Sequence, residues 1–230
     1  MVVGLPAYFR PGPAWATVGA GSPAVRYVIA NPSSGPGLSP DPAYVAAVAG
    51  VRAAGVEVLG YVSTRWGARP LDDVLGEVAC YQAWYGISSI FFDEAASSRG
   101  ALPYYRDLAA AVRVTPCAYV ALNPGTVPDE RYAALADLLV IFEGSDDAYR
   151  SWTPPPWQAR YHRGRFWHLV HGTPPSRLLD VLQVAERRAA GVVHVSDGVL
   201  DNPWGQLPAY WNEALDAVCV ANRSHGSAGR

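Results

Sequence analysis

Hydrophobic positions along the 230-residue chain fall into two alternating textures. Short, nearly unbroken apolar runs occupy residues 2–9, 26–31, 56–64, 89–93, 116–123, 138–143, 166–171 and 192–197, as in Ser89-Ile90-Phe91-Phe92. A strand with one wet face alternates apolar and polar residues. Runs that are apolar throughout belong to parallel strands covered on both faces, and their shortness favours strands over helices. The segments between them carry helix punctuation. Asp41-Pro42 supplies an N-cap and a first-turn proline, Val45, Val48 and Ala49 form an apolar face, and Gly55 stands at the stop. The next helix starts at Pro70, sets Asp72 and Asp73 where carboxylates favour the helix dipole, and buries Leu71, Val74, Val78 and Tyr85. Ser176 caps a helix through Leu179, Leu182 and Ala185 that ends at Gly191, and segments 104–112 and 129–136 complete the alternation.

Eight such units, at roughly 25 to 30 residues each, predict an α/β fold: a single compact (β/α)8 TIM barrel over residues 1–221. Its first helix (14–18) and its sixth, after Glu143, are expected to be short, the latter because Trp152-Thr153-Pro154-Pro155-Pro156 breaks the pattern. Residues 222–230 are expected to form a disordered tail. A doubly wound open sheet is the alternative, but no GxGxxG or phosphate-loop fingerprint follows any strand.

Composition removes several chemistries. All 18 Lys+Arg residues are arginine, so no lysine exists to form a Schiff base, hold pyridoxal phosphate or complete a Walker loop or kinase. Half the chain is hydrophobic and the net charge is -2, which provides no basic field for nucleic acid and no polybasic membrane patch. No basic segment followed by a long apolar stretch opens the chain, which predicts a cytoplasmic protein as written, or a secreted one if a signal peptide has been removed. The three cysteines, Cys80, Cys117 and Cys219, lie far apart and read as buried reduced thiols. With no HExxH and no HxH, neither a metal nor another cofactor is expected, and the absence of GxSxG argues against a serine hydrolase.

In a TIM barrel the chemistry lies at the C-terminal ends of the strands. The polar residues there are Tyr8, Asn31, Ser63, Thr64, Asp93, Glu94, Asn123, Glu143, His168, His171 and Asp197. Three carboxylates end apolar strands directly, in Phe92-Asp93-Glu94, Phe142-Glu143 and Ser196-Asp197; burying such a group is costly unless it is paired, so these positions point to function. Of the seven glutamates only Glu94 and Glu143 stand at strand ends. The competing structural reading makes Glu94 a helix cap and Glu143 an arginine partner. His168 and His171, three apart on one strand, point to opposite faces. Eight tryptophans are many for this length. Trp66, Trp152, Trp157, Trp204 and Trp211 follow strands and suit a carbohydrate groove, since aromatic faces pack against sugar C–H faces; Trp15, Trp84 and Trp167 read as core packing. The candidates are therefore Asp93, Glu94 and Glu143 for catalysis, and Tyr8, Asn31, Tyr61, Trp66, Asn123, His171, Asp197 and Trp204 for substrate.

The string Asn31-Pro32-Ser33-Ser34-Gly35-Pro36-Gly37, then Gly60-Tyr61-Val62-Ser63-Thr64 with Trp66-Gly67 and Arg69, then Tyr85-Gly86-Ile87 leading to Ile90-Phe91-Phe92-Asp93-Glu94, resembles the spherulin-4 family. Asn123-Pro124-Gly125 and Ile141-Phe142-Glu143 continue the likeness in the same order. The resemblance implies a (β/α)8 glycoside hydrolase similar to family 135, whose members cleave α-1,4-linked N-acetylgalactosamine in galactosaminogalactan. It places the family's acidic pair on Asp93 and Glu94 and its further glutamate on Glu143. The implied partner is an oligo- or polysaccharide. Two other classes compete: a non-catalytic carbohydrate-binding barrel, and a metal-dependent hydrolase using Asp93, His171 and Asp197.

Overall fold

The computed structural model describes residues 1–20 and 23–226. Eight parallel strands close into a barrel in chain order: β1 (Val2–Ala7), β2 (Val25–Ala30), β3 (Glu57–Ser63), β4 (Ser89–Asp93), β5 (Val120–Leu122), β6 (Leu138–Ser145), β7 (Phe166–His171) and β8 (Val192–Val195). β8 returns to β1 through Val2↔Val192 and Val3↔Val193, which leaves no open edge. Around them run α1 (Pro13–Gly19), α2 (Pro42–Ala53), α3 (Leu71–Tyr85), α4 (Leu102–Val112), α5 (Tyr132–Leu135), α6 (Asp146–Ser151), α7 (Leu178–Arg187) and α8 (Trp211–Gly226). This is the expected (β/α)8 barrel, with α1 and α6 short as anticipated and α5 shorter still, at 4 residues. None of these helices is long and apolar enough to cross a membrane.

Several boundaries differ from the sequence reading, each for a local reason. β5 is confined to Val120–Leu122 because the chain before it turns through Cys117 at φ 63° and Pro116 has no N–H for a ladder. Asp41 caps α2 by accepting from Ala43 N at 2.9 Å, but the buried face is Tyr44, Val48 and Val51; Val45 and Ala49 face water. The Tyr44 hydroxyl donates to the Asn31 carbonyl at 3.2 Å, which rotates that face toward the loop after β2. Ser176 lies inside a 3₁₀ turn, Pro175–Arg177, and caps nothing; α7 buries Leu178 and Val181 while Leu179 is exposed. α8 continues to Gly226, so residues 222–226 are helical rather than tail, and Asn222 exchanges two hydrogen bonds with Met1. Residues 227–230 of the expected tail lie outside the described residues. Cys117 is exposed and Cys80 and Cys219 are half-buried, where burial was expected of all three, and all three are free thiols.

Two apolar layers follow from the period-two rule for strands. Ile90 and Phe92 face the helices, together with Val28, Ala30, Val62 and Val170. Phe91, between them, faces the lumen with Tyr27, Ile29, Leu59, Tyr61, Val140, Trp167 and Leu169. Trp167 plugs the lumen, its ring 5.7 Å from Phe91 and 6.2 Å from Tyr27. That plug requires a glycine opposite, because a Cβ on Gly4 would stand 2.3 Å from the indole. Lumen parity carried to the strand ends delivers Tyr8, Ser63, Asp93, Asn123 and His171 to one mouth.

Candidate active site

Two of the carboxylates reach the mouth only because the strand pattern is broken for them. On β6, Val140 faces the lumen, so strict alternation would send Phe142 inward and Glu143 outward. The pairing with β7 slips between Val140 and Phe142, making Ile141 an extra residue. After this bulge Phe142 packs outward, its ring 4.6 Å from Tyr149, and Glu143 pairs with the lumen residue Leu169. On β4, Asp93 has lumen parity and its neighbour Glu94 does not. Glu94 adopts φ 48°, a left-handed conformation that turns its side chain back toward Ser63, whose Oγ donates to Glu94 Oε2. The strained residue is clamped: its carbonyl accepts from Trp66 N at 2.6 Å and from Thr64 Oγ1 at 2.9 Å. Glu94 is not a helix cap.

Asn123 joins the two acids. Its Nδ2 donates to Asp93 Oδ1 at 2.7 Å and to Glu143 Oε2 at 2.6 Å, while its Oδ1 accepts from Gly125 N at 3.0 Å. Because the oxygen is committed to that N–H, the amide must present its two hydrogens to the carboxylates. Sharing one nitrogen draws one oxygen of each carboxylate to the same side chain, so the two acids flank a common space. Glu143 Oε1 accepts from Trp204 Nε1 at 3.1 Å, so both of its oxygens receive N–H donors and neither meets an arginine. Trp204 is 4% exposed and wedged between His194 at 5.4 Å and His171 at 6.0 Å.

Burial, reinforced by the charge of Glu143, pushes the Asp93 carboxyl up to about 6; hydrogen bonds from Tyr61, the Glu94 amide and Asn123 oppose the rise without cancelling it. Burial also raises the Tyr8 and Tyr61 hydroxyls, and the nearby carboxylates add to the effect, so both phenols stay protonated donors. The Tyr8 and Tyr61 rings meet edge to face at 5.4 Å. His171 is half-buried, and its pKa is lowered by burial against the pull of Glu143. His168, on the opposite face of β7, is held neutral by burial with a pKa of about 3 and pairs through Nδ1 with the Tyr149 hydroxyl at 2.7 Å.

The mouth thus gathers Asp93, Glu94, Glu143, Asn123, Tyr8, Tyr61, His171 and Trp204. Asn31 and Asp197 serve their own loops: Asn31 Oδ1 accepts from Gly35 N at 3.0 Å, and Asp197 accepts from Ala209 N at 3.3 Å. Among the described residues no group of three or more His, Cys, Asp or Glu is placed to hold a metal, which leaves the metal-hydrolase reading without a centre. Trp152, Trp157 and Trp211 pack into the apolar layers rather than a groove, whereas Trp66 stands exposed on the rim. Ser63 was no more than a strand end in the sequence; its lumen parity was the signal that places its hydroxyl on Glu94.

A closed parallel barrel whose mouth holds a bridged carboxylate pair among aromatic rings defines a carbohydrate-active barrel of the glycoside-hydrolase type. Residues 2–218 match the spherulation-specific family 4. Spherulin-4 of Physarum polycephalum is 34% identical over 233 residues, spanning 95% of this chain and 70% of that protein. The chain belongs to the spherulin-4 family. The crystal structure of Aspergillus clavatus Sph3 in complex with GalNAc superposes with a TM-score of 0.81 at 27% identity, covering 94% of this chain and 96% of that one. The Rhizomucor miehei chitinase RmChi1 shares the fold, with a TM-score of 0.57 at 12% identity over 94% of this chain and 99% of its own.

Proposed function

We propose that the protein is a retaining glycoside hydrolase that cleaves inside a polysaccharide of α-1,4-linked N-acetylgalactosamine or galactosamine. The observation that carries this reading is the Asn123 bridge, which ties one oxygen of Asp93 and one of Glu143 to a single nitrogen and so sets the two acids side by side, an arrangement that suits a double displacement. The sugar is argued from Sph3, which the chain resembles over nearly its whole length and which binds GalNAc.

Asp93, with its pKa near 6, carries the proton for the leaving group. Glu143, both of whose oxygens accept from N–H donors that cannot act as acceptors, supplies the nucleophile. A Glu143 oxygen bonds to the anomeric carbon as the glycosidic C–O bond breaks, and the Asp93 proton passes to the departing oxygen. Water then gives its proton to the Asp93 carboxylate and its oxygen to the anomeric carbon, which releases Glu143. Attack by the substrate's own acetamido group is closed for an α-linkage, since that group shares a face with the leaving oxygen. Glu94, held by Ser63, accepts from a sugar hydroxyl.

The test is to incubate wild type, Asp93→Asn and Glu143→Gln with defined galactosamine and N-acetylgalactosamine oligomers, following products by mass and the first-formed anomer by NMR. Shortened α-products from wild type, and a loss of about 10⁴-fold or more in both variants, are expected. Sugar binding without product, unchanged by Glu143→Gln, would mark a binding barrel instead.

A further inference from the structure

Trp66 is the one exposed tryptophan of the eight, with 64% of its surface open, and its indole has no aromatic neighbour and no hydrogen bond among the described residues. The backbone beneath it is held in a conformation that side-chain-bearing residues avoid. Arg65 (φ 45°), Trp66 (φ 55°, ψ 31°) and Gly67 (φ 82°) form a short left-handed turn straight after β3. The turn is bolted down rather than loose. Trp66 N donates to the Glu94 carbonyl, Gly67 N to Thr64 O at 3.0 Å and Ala68 N to Arg65 O at 2.9 Å; Thr64 Oγ1 is in turn bonded to the buried Tyr105 hydroxyl at 2.8 Å. A strained, fixed backbone that holds a large apolar ring in water is explained by something that covers the ring.

In the hydrolase reading the cleaved sugar meets Asp93, Asn123 and Glu143, none of which the indole bonds. Trp204 serves that nest through its Nε1, which donates to Glu143, while its ring is enclosed between His194 and His171. Trp66 lies beside this nest, tied through its backbone to Glu94 just past the end of β4. Resting on the hydrolase reading above, we infer that Trp66 is the stacking platform for a sugar one or more units from the cleaved bond, and that it makes the site selective for long chains over short glycosides. Its indole face takes the apolar C–H face of a pyranose. The energy of that remote contact serves catalysis by locking the chain in register with Asp93 and Glu143.

Trp66→Gly is the informative variant, because glycine suits φ 55° and the indole is not part of the core; the melting temperature is expected to hold or rise. On a polymeric galactosamine substrate kcat/KM is expected to fall about tenfold to thirtyfold, while cleavage of the shortest oligomer that wild type accepts stays within about twofold. In the Glu143→Gln background, the acrylamide-quenchable tryptophan fluorescence is expected to be shielded by long oligomers but not by a disaccharide, and to be missing from the Trp66→Phe double variant. Equal losses on short and long substrates, or undiminished polymer cleavage by Trp66→Gly, overturn the inference while leaving the hydrolase reading intact. Shielding that follows protein concentration instead of sugar marks a self-contact and overturns it as well. A wild-type protein that cleaves no oligomer overturns the hydrolase reading and this inference with it.

Discussion

The arc of the mouth made by β4, β5 and β6 and the arc made by β8, β1, β2 and β3 are finished in opposite ways. On the first, each strand end carries a polar side chain tied to its neighbour: Asp93 to Asn123, Asn123 to Glu143. On the second, the loops beyond the strands leave Leu38, Trp66, Val199 and Leu200 in solvent. The arcs meet at two seams, where Tyr61 and Ser63 reach Asp93 and Glu94, and where Trp204 crosses from the loop after β8 to Glu143. On the proposed reading the difference teaches that the bonded arc supplies reactivity, whose groups need partners fixed before substrate arrives, whereas the apolar arc offers area to something that arrives later.

The comparison breaks most severely at Asn123. Asn123→Ala removes the bridge and leaves one oxygen of each acid without its donor. A loss of about 10²–10³-fold in kcat/KM is expected, ~3–4 kcal/mol, with the fold retained by circular dichroism. Next comes a gain in stability from the same arc. The folded pKa of Asp93, about 6, lies above its ordinary 3.8, so the folded chain holds that proton more tightly than the unfolded one. The carboxyl therefore costs nothing below pH ~4, weakens the fold as pH rises through ~4 to 6, and above that removes about 3 kcal/mol. Asp93→Asn is expected to melt several degrees higher than wild type at pH 7 and together with it at pH 3; a shift that does not change with pH would refute the assignment. If Asp93 is the proton donor proposed above, kcat/KM of the wild type is expected to fall on the alkaline side near pH 6, where that proton is lost.

Trp204→Phe keeps the wedge between the two histidines and deletes one N–H to Glu143. Activity is expected to drop about tenfold, ~1.4 kcal/mol, with little change in melting. The smallest effect belongs to the apolar arc: Leu38→Ser is expected to alter stability by less than ~0.5 kcal/mol, because nothing folded lies against that side chain. A large destabilisation there would show that the arc is part of the core.

The barrel was legible in the sequence because a strand covered on both faces must be apolar at each position, and eight such runs separated by helix signals have few other solutions. Asp93 and Glu143 were legible for a related reason, as carboxylates ending runs with no polar relief. What was hidden is how they come to face each other. The extra residue at Ile141 is apolar like its neighbours, so the bulge leaves no trace in the hydrophobic pattern, and the left-handed turn at Glu94 is set by bonds from Trp66 and Thr64 thirty residues away. Side-chain reach misled the reading of α2, where a tyrosine long enough to bond the Asn31 carbonyl turned Val45 and Ala49 to water and brought Val51 inward beside Val48. The same limit applied to the tryptophans: sequence placed five beyond strands, but only Trp66 and Trp204 face the mouth, since Trp152 stacks on Tyr149 and Trp211 enters the layer under α8.

Trp167, packed against Phe91 and Tyr27 with Gly4 trimmed to admit it, stops the barrel like a cork beneath Asp93 and Glu143. In a double displacement the glycosyl group waits on the enzyme for an acceptor. A corked barrel has no back door for water, so the acceptor must come through the opening by which the severed chain departs. If the proposed double displacement holds, water and a second chain end compete for one berth, and in concentrated polymer the same carboxylates are expected to re-join strands as well as cut them.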